Sequence, residues 1–159
     1  MKFLYFLIII IAFYSCNASK KVSGNYKFEI ECLGVELDGS QTLKAWGNGR
    51  NRFDAVEQAK KNAVNAVIFK GVSYGKQDCN KRPLITDPMA REKHEDYFNT
   101  FFRDKGEYLS FVNCKDERFL SKILRSRKPA RQSVTHGVVV RVLRGELKKK
   151  LQEDGIFKN

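Results

Sequence analysis

The chain has 159 residues, 42% hydrophobic and 12% aromatic, with only three prolines. That is one domain's worth of ordinary globular composition. It excludes a string of domains and leaves no need for staples, because a chain of this size buries about two-thirds of its unfolded surface. The charge is less ordinary: 30 Lys and Arg stand against 18 Asp and Glu, a formal net charge of +12.

One basic residue, Lys2, precedes an unbroken apolar run over residues 3–14. A bilayer-crossing helix needs about 20 apolar residues at roughly 1.5 Å rise each, and this run is about half as long. It has instead the length of a secretory h-region, with a basic start and small residues after it. Phe13-Tyr14-Ser15-Cys16 resembles a bacterial lipobox. The resemblance implies cleavage before the cysteine and acylation of its thiol. Residues 1–15 are therefore expected to be a signal peptide and Cys16 the lipidation site. Phe13 stands where leucine is usual and Tyr14 where a small residue is usual, whereas Ser15 and Cys16 fit. Each buried acyl CH₂ contributes about 0.8 kcal/mol, so two or more chains hold a protein without a peptide span. Residues 16–25 are polar and aperiodic and read as a lipidated tether. No acidic cluster follows Cys16. The expected location is the bacterial cell envelope, as a membrane-anchored lipoprotein of the outer membrane facing the periplasm.

Loss of residues 1–15 leaves 144 residues and a net charge of +11, since Lys2 is the only charge removed. Between Lys115 and Lys150, twelve Lys and Arg face only Asp116, Glu117 and Glu146. In a cytoplasmic protein such a bias suggests nucleic acid. Behind an export leader the available polyanions are lipid headgroups and envelope phosphates or carboxylates, and no nucleic-acid partner is expected. Arg125, Arg127, Lys128, Arg131, Arg141 and Arg144 are the candidate anion contacts. The bland alternative is a solvated basic face that keeps the protein soluble.

Residues 26–159 are expected to form a single α+β domain. Tyr26, Phe28, Ile30 and Cys32 alternate with Lys27, Glu29 and Glu31, the period of a half-buried strand. Asp38-Gly39 signals a hairpin turn, and residues 42–46 supply the returning strand. Gly47 and Gly49 then read as strand breakers. Asn51 is a good helix cap with Asp54 three residues on. The spacing predicts a helix over 52–69. Ala55, Ala59 and Ala63 recur every four residues, small enough to let the helix axis sit close to a sheet. Gly71 is placed to close it as a C′ residue.

The segment AWGNG, followed by a helix with alanines four apart, resembles two bacterial envelope families. One is the small outer-membrane lipoprotein family first known as a surface antigen; the other is the N-terminal domain of flagellar assembly protein T. The likeness covers residues 42–70 and a valine-rich late strand. It implies a compact α+β domain with a structural or assembly role and protein partners, and it brings no catalytic residues. The middle third departs from both families by holding an extra helical segment.

That segment follows a loop over 72–86. Asp87 caps a helix with Pro88 at its first position, the favoured place for proline. His94, Tyr97, Phe98, Phe101 and Phe102 fall on one apolar stripe, and Gly106 ends the helix. The stripe reads as core-facing and His94 as a packed residue. Residues 108–114 suggest a strand. Residues 119–127 fit neither period cleanly, and a strand turning near Pro129 is favoured. Residues 132–143 form a convincing strand, with Val134, His136, Val138, Val140 and Val142 on one face. A short terminal helix carries Leu147 and Leu151 four apart, with Gly155 beyond its end. The whole is expected as α+β: a mainly antiparallel sheet with two long helices and a short C-terminal helix packed on it.

Chemistry is sparse. With Cys16 lipidated, Cys32, Cys79 and Cys114 remain. Cys79 in a loop and Cys114 at a strand end are the expected disulfide, with Cys32 a small buried hydrophobe. No CxxC occurs and only His94 and His136 could assist, so no metal site is expected. GNGRNRFDA lacks the third glycine of a dinucleotide loop and the Lys-Ser/Thr of a P-loop, and reads as a strand-to-helix turn. KHEDY lacks the second histidine of a zinc-protease helix. No nucleophile signature appears. The expectation is a non-enzymatic lipoprotein without cofactors or catalytic residues. It contributes contacts to an envelope assembly or, alternatively, binds an anionic envelope ligand or polymer through its basic C-terminal region.

Overall fold

The computed structural model describes residues 29–114 and 133–157. Five strands form one sheet: β1 (Glu31–Val35), β2 (Gln41–Gly49), β3 (Tyr74–Gly75), β4 (Val112–Cys114) and β5 (Val134–Val142). Their order is β3-β1-β2-β5-β4. Every neighbouring pair is antiparallel except β1 with β3. Helices α1 (Arg52–Asn65), α2 (Ala90–Lys93), α3 (Glu95–Phe101) and α4 (Arg144–Glu153) complete an α+β domain. The expected signal peptide, the expected tether with Cys16, and the segment holding Arg125, Arg127, Lys128 and Arg131 lie outside the described residues. Among the described residues, no helix is long and apolar enough to cross a membrane.

The β1–β2 hairpin turns at Asp38-Gly39, where Gly39 takes a left-handed φ of 77°. β2 does not stop at its glycines. It pairs with β5 along its full length, from Gln41 opposite Val142 to Gly49 opposite Val134. Gly47 and Gly49 face α1, and helix backbone fills the space where side chains would stand. A Cβ on Gly47 would lie 2.1 Å from the Ala55 carbonyl oxygen and 2.3 Å from the Ala59 nitrogen. Ala55, Ala59 and Ala63 are fully buried on the facing side. The expectation of a close helix–sheet approach therefore holds. The glycines serve it from within the strand rather than ending the strand. On the other face the Trp46 ring covers Gly137, and Lys44 Nζ lies 5.5 Å from its centroid.

Asn51 caps α1 as expected, its side-chain oxygen accepting from the Asp54 N–H at 2.9 Å. After Asn65 the helix widens into a single π-turn, Ala66–Lys70, which Gly71 closes at φ 75°. The aromatic stripe is core-facing, with Phe98 and Phe101 buried and Phe69 edge-on to Phe98 at 4.8 Å. Its helix is not one long rod. It breaks at His94 (φ −121°, ψ 38°) into α2 and α3, and Asp87 caps only a turn through the Met89 N–H. Residues Glu107–Phe111 form a 3₁₀ turn rather than the start of a strand. That turn buries Tyr108 and lets its hydroxyl donate to Glu57 at 3.1 Å. On β5, Val138, Val140 and Val142 are buried, and Leu147 and Leu151 seat α4 on the core.

The disulfide joins Cys32 to Cys79, not Cys79 to Cys114. The parallel β1–β3 pairing is the physical reason. It places Gly75 opposite Cys32, so the loop after β3 returns Cys79 to β1. Cys114, half-buried at the end of β4, is at the opposite edge of the sheet. A closure spanning 47 residues contributes about 4 kcal/mol in the chain-entropy view.

Gly47→Ala should lower unfolding free energy by about 3 kcal/mol or more, the upper end of overpacking costs. Gly145→Ala, where a Cβ meets nothing within 4 Å, should change it by about 0.5 kcal/mol or less. Urea unfolding of both variants checks this; equal costs would remove the close-approach argument.

Candidate functional site

Three pieces of chain meet at one end of the sheet and line a cavity of about 380 Å³ that is open to solvent. The β1–β2 turn brings Gly39, the loop after β3 brings Asn80, Arg82, Pro83 and Leu84, and the start of α4 brings Arg144, Gly145 and Lys148.

Each piece is held by identifiable contacts. The turn is fixed by Asp38, whose carboxylate accepts from the Ser40 N–H at 3.0 Å and the Ser40 hydroxyl at 2.6 Å. The loop is tied at Cys79 and by the fully buried Gln41, whose amide donates to the Asn80 carbonyl at 3.0 Å. Asn80 Oδ1 accepts from the Arg82 N–H at 3.2 Å, a local turn that aims residue 82. Beyond it, the Leu84 and Ile85 N–H groups donate to the Val67 and Ile68 carbonyls at 2.9 and 2.8 Å. Those two carbonyls belong to the π-turn and would serve the helix itself if α1 continued regularly. α4 starts where Leu143 leaves the strand, its N–H bonded to the Phe111 carbonyl at 3.0 Å.

Arg144 and Lys148 are four residues apart on α4 and share a face. Arg144 Nη2 donates to the Arg82 carbonyl at 2.8 Å and so ties helix to loop. Its Nη1 is buried without a hydrogen-bond partner. Burial pulls Arg144 below the ordinary guanidinium value, yet an arginine stays protonated in a protein. Among the described residues, Arg82, Arg144 and Lys148 have no carboxylate partner. On and beside α4 other cations do: Lys149 pairs with Glu153, Lys150 with Glu107 and Asp154, and Arg141 with Asp38. The cavity wall carries no acidic, histidine or cysteine side chain. The first N–H groups of α4 add partial positive charge, because Leu143 offers no side-chain cap.

Of the candidate anion contacts, Arg144 is in this cavity. Arg141 is instead clamped by Asp38 and by the Ser40 hydroxyl. Arg82 and Lys148 escaped the sequence reading. Arg82 lies outside the basic late region, and its only sequence signal is the NKRPL run beside Cys79. The glycines before α1 belong to β2 rather than to a turn, and helix backbone fills the space beside them. Glu92, Glu95 and Asp96 are exposed. Among the described residues, no three His, Cys, Asp or Glu side chains are grouped to hold a metal ion.

The Asp38 clamp has a pH signature. Hydrogen bonds from Ser40, then the charge of Arg141, hold its carboxyl below the ordinary value of 3.8. A carboxyl more acidic in the folded than in the unfolded chain adds stability fully above 3.8 and loses it as pH falls through the folded value. An NMR titration of Asp38 should show a midpoint below 3.8 that moves upward in Arg141→Gln. A midpoint unchanged by that substitution would mean Arg141 does not act on the carboxyl.

No protein-family model matches the chain, and no curated protein or solved structure does either.

Proposed function

We propose that the chain is a non-enzymatic lipoprotein of the bacterial cell envelope, anchored through Cys16, whose folded domain binds anionic groups in the cavity formed by Arg82, Arg144 and Lys148. One observation carries the binding part: Arg82, Arg144 and Lys148, which have no carboxylate partner among the described residues, line one groove whose wall holds no acidic side chain. An anion entering there meets fixed positive charge with little to displace but water. The lipobox resemblance supports the anchor. On this reading the domain hangs from the outer membrane facing the periplasm, where phosphates and carboxylates are plentiful and nucleic acid is not a partner.

A second reading is a structural or assembly role through protein contacts. It draws on the resemblance to envelope families and on apolar side chains near the β3–β1 edge, where Val35 and Tyr74 are exposed and Leu37 is fully so. The two readings separate on charge. An assembly role does not depend on Arg144 or Lys148.

Binding of polyphosphate to the purified protein, followed by fluorescence anisotropy, should weaken steeply from about 10 mM to 100 mM salt, as the screening length shrinks from about 30 Å to about 10 Å. It should weaken further in Arg144→Gln and Lys148→Gln. Affinity that is flat with salt, or unchanged in both variants, would rule out the cavity as an anion site.

The native protein should sediment with membranes and show a mass lacking residues 1–15 and carrying acyl groups. Cys16→Ala should abolish the acylation. An unacylated native N-terminus would remove the anchor from the proposal.

A further inference from the structure

Resting on that reading, we propose that the cavity selects a phosphomonoester, a terminal phosphate joined to a less polar body. The first argument is charge matching. Arg82, Arg144 and Lys148 bring three positive charges, and the cavity wall has no acidic side chain to offset them. A phosphomonoester brings about −1.5 to −2 at pH 7 and three terminal oxygens. A carboxylate or a phosphodiester brings one charge and two free oxygens, and leaves two cations unanswered.

The donors are also pre-set. Arg144 has one side of its guanidinium fixed on the Arg82 carbonyl, which limits how the group can turn. A planar guanidinium held in this way is suited to an oxyanion. Beside it, the start of α4 presents backbone N–H groups with no side chain capping them. The backbone there is accessible, because a Cβ added to Gly145 would meet nothing within 4 Å. Glu146, the one acid in that first turn, is exposed and takes no part in the wall.

The cavity is larger than one oxyanion. At about 380 Å³ it would hold about a dozen waters at about 30 Å³ each, near the lower end for small-molecule sites. Half-buried Pro83 and Leu84 form an apolar stretch of its wall, against which the organic part of such a ligand can rest. The same headgroup chemistry occurs in soluble phosphorylated metabolites and in lipids that end in a phosphate.

Calorimetry on the mature, acylated protein in detergent at low salt tests this with phenyl phosphate, benzoate and diphenyl phosphate. Phenyl phosphate should bind about tenfold tighter than the other two, the worth of one extra charge-assisted hydrogen bond. Arg144→Gln and Lys148→Gln should each weaken it about tenfold. Gly145→Asp, which puts a carboxylate into the open space, should abolish binding with the circular dichroism unchanged. Because Arg144 also ties α4 to the loop, Lys148→Gln and Gly145→Asp keep the test valid if the arginine variant fails to fold. Displacement of phenyl phosphate by lysophosphatidic acid, but not by lysophosphatidylglycerol, would support the proposal with a lipid headgroup as source. Displacement by glycerol 3-phosphate but by neither lipid would support it with a soluble source. Equal affinity for the three aromatic probes, lost in Lys148→Gln, would overturn monoester selectivity and leave the anion-binding reading standing. No binding of any probe or of polyphosphate would overturn both.

Discussion

The fold depends on a contact without side chains between its two partners. The backbone of α1 rests on β2 because Gly47 and Gly49 offer no Cβ and Ala55, Ala59 and Ala63 offer only one carbon each. Interiors pack at crystal-like density, so this approach sets the height of the helix over the sheet. The end of α1 matters for the cavity. The π-turn leaves the Val67 and Ile68 carbonyls to the Leu84 and Ile85 N–H groups, and that strap carries Arg82 and Pro83.

The cavity gathers cations that have no carboxylate partner among the described residues. Elsewhere, cations near α4 meet carboxylates, whereas Arg144 lies partly buried with a carbonyl for company. Partial burial of a charge without a counter-charge costs stability. Departures from local consistency of this kind are expected where a protein handles a ligand. The chain tolerates this one because Arg144 also links α4 to the loop, and because Leu147 and Leu151 hold the helix independently of it.

What could be read from the sequence was local. The alternation in β5, the Asn51 cap, the four-residue alanine spacing and the aromatic stripe are properties of a few consecutive turns or strand residues, and each reappears in the fold. What could not be read depended on distant partners. The two-residue strand β3 has no periodicity to detect, yet its parallel pairing with β1 decides which cysteines meet. Tyr108 looks like a strand residue until Glu57 accepts its hydroxyl hydrogen bond and a 3₁₀ turn accommodates it. Gly47 and Gly49 look like breakers because their use, room for a helix, belongs to another element. A count of charges found the basic late region, but an unanswered charge is a three-dimensional property. Arg141 and Arg144, three positions apart, end in opposite conditions for that reason.

The Cys32–Cys79 bond also governs how the domain would carry mechanical load. A pull arriving from the N-terminal side enters at β1, next to an edge strand only two residues long. Hydrogen bonds alone would let that edge peel away one pair at a time. The covalent link passes the strain to the loop that carries Arg82, and from there through Gln41 and the π-turn into the interior. Tension along the chain is therefore shared with the rim of the cavity.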